Sequence, residues 1–265
     1  MYAMRLYLRC LGASIRSQMQ HRLSFCMLTL GQALVVGMEI AGVWMLFHRF
    51  GQLRGWTLPQ VALLFGMANT SFALAEGIGR GFDTFSTLVK SGDFDRLLLR
   101  PRGTAFQVAA QEIQLMRAGR FVPGLLVLGW AALQVNVPWH DLRWLAIGAG
   151  ILGGAAVFYG LFILQATLAF WTVESLEVMN TVTYGGVEVA QYPLSIYRPW
   201  FRTFFTVVVP LASTTYLPAR SLLLSSDFRD ALLHGCLALT VGGLFLALTL
   251  RLWSVGVRYY RSTGS

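Results

Sequence analysis

The strongest constraint on this chain is a series of apolar runs too long for any helix that faces water. Leu23 to Phe47 carries 25 residues with a single charge, Glu39, and a helix needs about 20 apolar residues to cross a bilayer. Comparable runs follow at 59–79, 119–137, 142–171 and 231–250, with a shorter one at 201–218 that Pro210 interrupts. The pattern predicts an all-α polytopic membrane protein, one domain over 1–265, with six transmembrane helices joined by short connections. Charged residues make up 12% of the chain, about half the ~25% of soluble domains, which excludes an ordinary water-soluble enzyme. The 55% hydrophobic content excludes disorder.

Ahead of the first run, Met4, Leu8, Leu11, Ile15 and Met19 recur at helical spacing beside a stripe of Arg5, Arg9 and Arg16. Residues 1–22 therefore read as an N-terminal interfacial helix lying on membrane lipid, not as a signal peptide. The net charge of +9 fits loop charges that fix orientation and meet anionic lipid, and no soluble basic module suggests nucleic acid. Counting Lys and Arg on either side of six crossings gives sixteen against five, with Arg198 and Arg202 assigned to the richer side. Both termini and the Arg80 to Arg120 region are thus expected in the cytoplasm.

Small residues mark helix contacts. Ala33, Gly37 and Ala41 repeat every four residues in the first span, and Gly150 and Gly154 do so in the fourth. Such spacing lets backbones approach closely, first within the subunit and second between subunits. Glu39 and Glu76 stand inside spans, where an ionised carboxylate costs roughly 3 kcal/mol. Each is a candidate for a substrate or ion path, against the alternative of a protonated acid bonded to a neighbouring helix.

Several chemistries lack their signatures. A phosphate-cradling loop needs G-x-x-x-x-G-K-[ST], yet the only lysine, Lys90, follows Val89. The glycines at 77, 79 and 81 miss dinucleotide-binding spacing. The four histidines are dispersed, and Cys10, Cys26 and Cys236 lie far apart with no CxxC, so neither a metal site nor a disulfide framework is expected. The chain reads as no enzyme and as holding no cofactor of its own.

The connection after the second span carries the most local pattern. Phe82, Phe85 and Leu88 share a helical face, Asp83 lies in the first turn, and Gly92 is placed as a C′ stop. Asp93 then opens a second turn through Phe94, Asp95, Arg96 and Arg100 to Pro101. With two aromatic anchors, 81–101 reads as a knob for a soluble partner, against the simpler alternative of a helix on the lipid surface.

The run Gly92-Asp93-Phe94-Asp95-Arg96-Leu97-Leu98-Leu99-Arg100-Pro101, with Gln191 to Tyr197, Val209-Pro210 and Tyr216 to Ala219, resembles the type-2 ABC transporter permeases. It is most similar to the branch encoded as two membrane subunits beside one ATPase. The resemblance spans nearly the whole chain. It implies a multi-pass permease of the bacterial inner membrane, a cytoplasmic ATPase in two copies that binds ATP and Mg, and a second permease, homologous or identical. It further implies export of an amphipathic or hydrophobic solute, and a coupling helix at 82–92 continued by 93–101. A polar re-entrant hairpin maps onto 216–230. The alternatives are an ATP-independent secondary transporter or channel built on Glu39, though the two halves show no inverted repeat, and an intramembrane enzyme, for which no reactive cluster is visible.

Overall fold

The computed structural model describes Gly12 and residues 16–112, 114–135, 137, 139, 142–172, 176–224 and 227–260. Most of the expected interfacial helix over 1–22 lies outside these residues; its last turn, 16–20, is helical and breaks at His21 before the first long helix. The described chain is helical with no strand beyond one isolated bridge, Leu53 to Trp56, in the first turn. Its long helices are α1 (Arg22–Phe50) and α2 (Leu58–Asp83), followed by three short ones, α3 (Phe85–Lys90), α4 (Phe94–Leu98) and α5 (Thr104–Ala109). Then come α6 (Ala118–Gln134), α7 (Trp144–Leu168), α8 (Leu176–Ala190), α9 (Pro199–Thr203), α10 (Leu217–Leu224) and α11 (Phe228–Tyr259).

Local chemistry sets the ends. The α1–α2 turn uses Gly51 and Gly55 at positive φ. The Gln60 side chain then accepts from the Thr57 amide at 3.0 Å as a capping box, with a proline in the first turn where no amide partner is missing. Asp227 caps α11 by accepting from the Arg229 amide at 2.9 Å. Gly92 adopts φ +74 just after α3, and its amide donates to the Val89 carbonyl, as expected of a residue at C′.

Helix α2 is the axis of the bundle: 83% of its apolar stretch is buried, against 6% for α1. It packs against α6 and α7, while α7 packs along α11. The α7–α11 contact is glycine on glycine. A Cβ on Gly242 would strike the Gly153 carbonyl, and one on Gly153 the Ala238 carbonyl. Gly150 and Gly154 approach Met67, Thr214 and Ser71 within 2.7–2.8 Å of where a Cβ would sit, so the second small-residue stripe packs inside the chain. The first does not, because Gly37 and Ala41 are exposed and a Cβ on Gly37 would meet nothing within 4 Å.

Among the described residues four helices are long and apolar enough to cross a membrane, namely α1, α2 with its extension to Lys90, α7 and α11. The expected third span is α6, at 17 residues with Pro123 inside it. The chain that leads into it carries α5, which ends at Ala109, and a 3-10 turn at Leu115–Arg117. The expected fifth span, 201–218, is not a straight helix. Pro199–Val208 and Ala212–Leu224 meet at 84° around Pro210, which has no amide to continue a helix, and each arm contains a π-helical turn next to the break. This bent pair covers 199–224 and overlaps the expected hairpin segment, 216–230, over residues 216–224. Sequence reading missed α8 altogether, treating it as part of a connection.

Contacts divide the bundle into two ends. At one, Gln18 accepts from the Leu115 amide, Phe94 packs on Tyr260 at 4.9 Å, and Phe85 packs on Phe170 and Trp253. Both described termini lie there. At the other, Arg54 donates to the Ser195 carbonyl at 2.6 Å and Trp56 faces Tyr216 at 5.8 Å. The hairpin, with Arg198 and Arg202, thus belongs to the end opposite the termini, and the sixteen-to-five count becomes fourteen to seven.

Candidate functional site

Two arrangements stand out at and near the termini end. The first is an elbow, residues 81–103, where α2 runs on through α3 to Lys90 and the chain turns at Gly92, at φ +74. Gly81 lets α5 pack close beside it, because a Cβ there would collide with the Val108 carbonyl. From the elbow Phe82, Phe85 and Phe94 point inward, at 1%, 0% and 0% exposure. Phe85 is edge-on to Phe94 at 5.0 Å, Phe170 at 5.1 Å and Trp253 at 4.8 Å, and Phe82 meets Trp253 at 5.2 Å. The Trp253 indole donates to Thr104 Oγ1 at 3.0 Å. Each such ring pair contributes about 0.5–1.5 kcal/mol beyond its buried area, so the elbow moves with α2, α7 and α11 or not at all.

Phe82 and Phe85 are therefore interior in this chain: an amphipathic face seeks the nearest apolar surface, and here that surface is the chain's own α7 and α11. Leu88 is half-buried against the same cluster. Arg96 pairs with Asp93 at 3.2 Å on the outside. Asp95 faces Tyr260, whose hydroxyl is raised above its ordinary pKa first by burial and then by that carboxylate. The Gln107 amide donates to the Leu97 and Arg102 carbonyls at 3.0 and 2.9 Å, clamping the loop that carries Leu98, Leu99 and Arg100 outward.

The second arrangement is a charge network between helices. Arg117 meets Glu76 at 3.1 Å, with side chains 14% and 2% exposed, and the Tyr184 hydroxyl donates to the same carboxylate oxygen at 3.4 Å. Arg120 reaches Glu39 at 3.7 Å and lies over the Phe72 ring at 5.1 Å. Arg80 pairs with Asp83, which also accepts from Gln165 at 3.3 Å. Helices α1, α2, α6, α7 and α8 are joined through it. Glu39 and Glu76 are thus each paired with an arginine of a neighbouring element. Sequence reading missed Arg117, Arg120, Tyr184, Gln165 and Gln107. Arg117 and Arg120 were visible as an i, i+3 pair at a span entrance but were counted as loop charge.

At the opposite end Tyr197 stacks on Phe201 at 5.1 Å. Burial, with Tyr192 and Glu188 adding, pushes its pKa up to about 12, so it stays a neutral phenol. Among the described residues no three His, Cys, Asp or Glu side chains gather as metal ligands would.

Long apolar helices, a glycine-packed core and charges neutralised inside the bundle define an integral membrane protein. A family model described as ABC-2 family transporter protein matches residues 33–264. The chain belongs to this ABC-2 transporter family, whose members are membrane permease components of transporters. Searches of curated proteins and of solved structures gave no match.

Proposed function

We propose that this chain is the membrane-spanning permease subunit of an ATP-driven exporter in the bacterial cytoplasmic membrane, with ATP and Mg bound by a separate ABC ATPase present in two copies. The single observation that carries the reading is the elbow: a rigid extension of α2 welded by Phe82, Phe85 and Phe94 to α11 and the end of α7, in a chain of the ABC-2 family with no phosphate-binding loop. A push on residues 84–103 reaches three long helices at once. The charge bias of fourteen to seven supports a cytoplasmic elbow and cytoplasmic termini. Six crossings follow if α6 and the 15-residue α8 are counted as short spans across a locally thinned bilayer beside the bent 199–224 pair. The outward Ala33, Gly37, Ala41 stripe on α1 is offered to a second permease, homologous or identical.

The expelled solute is amphipathic or hydrophobic, consistent with a bundle whose outward faces are apolar. An ATP-independent carrier built on Glu39 is not favoured, because Arg120 stands 3.7 Å from that carboxylate and a cation entering there would meet a fixed positive charge. Affinity purification in mild detergent followed by mass spectrometry tests the reading, which expects a P-loop ATPase and a second permease in the eluate. Full-speed solute movement by the purified chain alone, without nucleotide, would refute it.

A further inference from the structure

Where the chain enters α1, an open trough of about 320 Å³ lies at the termini end. One wall carries Ser17, His21, Ser24 and Leu28, and the other Glu112, Gln114 and Met116. The walls are joined by the Leu115 amide, which donates to Gln18 at 3.0 Å, and the second wall is tied to α2 by the Gln114 amide, which donates to the Gly77 carbonyl at 3.1 Å. The trough runs from polar to apolar. The apolar run of α1 starts at Leu23, so Ser17 and His21 stand at headgroup level while Leu28 lies about 7–8 Å into the hydrocarbon; Phe25 and Met116 add apolar wall. Its fixed charge is negative: the lining includes the Glu112 carboxylate and, among the described residues, no lysine or arginine. Gln114 donates to one Glu112 oxygen at 3.0 Å and accepts from Arg117 at 3.1 Å, which holds that carboxylate to the interior Arg117–Glu76 pair. Leu28 is 54% exposed and stands about 180° round the helix from Gly37, so a second permease seated on the small-residue stripe leaves the trough to lipid.

We propose that this trough binds one phospholipid with a primary-ammonium headgroup, of the phosphatidylethanolamine class, from the leaflet at the termini end. The ammonium donates to Glu112, the phosphate accepts from the Ser17 and Ser24 hydroxyls and the His21 ring, and an acyl chain lies over Phe25, Leu28 and Met116. Phosphatidylglycerol would bring its phosphate to the carboxylate with no ammonium between them, and the quaternary ammonium of phosphatidylcholine has no N–H to donate. The bound lipid bridges α1 to the 112–116 segment and through it to α2. This inference requires that α1 cross the bilayer and is independent of any ATPase.

The test is native mass spectrometry of the whole chain, purified in mild detergent and titrated with dioleoyl phosphatidylethanolamine, phosphatidylcholine or phosphatidylglycerol. The wild type binds the first about tenfold more tightly than the other two, the worth of one charge-assisted bond. Glu112→Gln, whose amide oxygen still accepts from Gln114, brings the three lipids within about threefold of one another. Glu177→Gln, an exposed acid at the start of α8 and outside the trough, leaves the preference as it was. Ser24→Phe puts a ring into the trough from an exposed position and lowers retention of phosphatidylethanolamine roughly tenfold, a loss that does not depend on how Glu112 is held. Equal binding of the three lipids by the wild type would overturn the assignment, as would a Glu112→Gln or Ser24→Phe variant that keeps the wild-type preference and affinity. Neither result touches the permease reading, which stands or falls on ATPase recovery.

Discussion

Replacing Phe85 by alanine removes a ring that touches Phe94, Phe170 and Trp253 at 4.8–5.1 Å and is 0% exposed. Loss of such a side chain costs about 3–5 kcal/mol, of which ~2–3 is transfer from water and the remainder the cavity. Because two of the three contacts join the elbow to α11 and to the chain just after α7, the cost falls on closing the elbow against the bundle rather than on the bundle itself. The opening equilibrium should rise roughly 150- to 5,000-fold, at tenfold per ~1.4 kcal/mol. Hydrogen exchange of the detergent-solubilised protein reads this directly, since amides over 84–103 exchange through local opening. Phe85→Ala should speed them by more than a hundredfold, while peptides from α7 above Phe162 stay protected. Lys90→Ala, exposed on the same short helix, is the control and should change nothing. Exchange over 84–103 within threefold of wild type would show that the aromatic cluster does not hold the elbow, and the lever argument would fall with it.

Leucine at Gly153 or Gly242 would drive the α7 and α11 backbones apart, and both variants should lose their monodisperse peak on size-exclusion chromatography. Leucine at Gly243, which faces open space, should keep it. Gly37→Leu should leave the subunit's thermal stability within ~0.5 kcal/mol, yet abolish pull-down of a differently tagged second permease. Glu76→Gln strands the Arg117 charge at 14% exposure and should cost up to ~3–5 kcal/mol in thermal unfolding. Pairing it with Arg117→Gln should recover part of that loss; an additive double variant would show that the two residues act independently.

The apolar runs were legible because a 25-residue stretch such as Leu23 to Phe47 has one outcome in a bilayer, and Gly92 because a helix stop beside a charged turn favours that residue. The hairpin and α8 were not. Pro210 announces a break but not its angle, and Leu176 to Ala190 carries Glu177 and Glu188 in only 15 residues, too short and polar to register as a span. The burial of Phe85 was not legible for a physical reason: periodicity shows that a face is apolar and leaves open whether the chain's own helices or a partner will cover it. Only the fold, by bringing Trp253 and Phe170 beneath the elbow, assigns the inner face to the bundle. The charge network was half legible, since the acids at 39 and 76 are conspicuous in apolar runs whereas Arg117 and Arg120 sit at a boundary where arginine is ordinary.

The most direct measurement is photocrosslinking in intact cells with Leu99→p-benzoylphenylalanine, followed by mass spectrometry of the adduct. The account predicts a covalent product with a P-loop ATPase whose yield changes on nucleotide depletion. A residue 99 that forms adducts with lipid alone, or that a membrane-impermeant reagent labels from outside the cell, would contradict it.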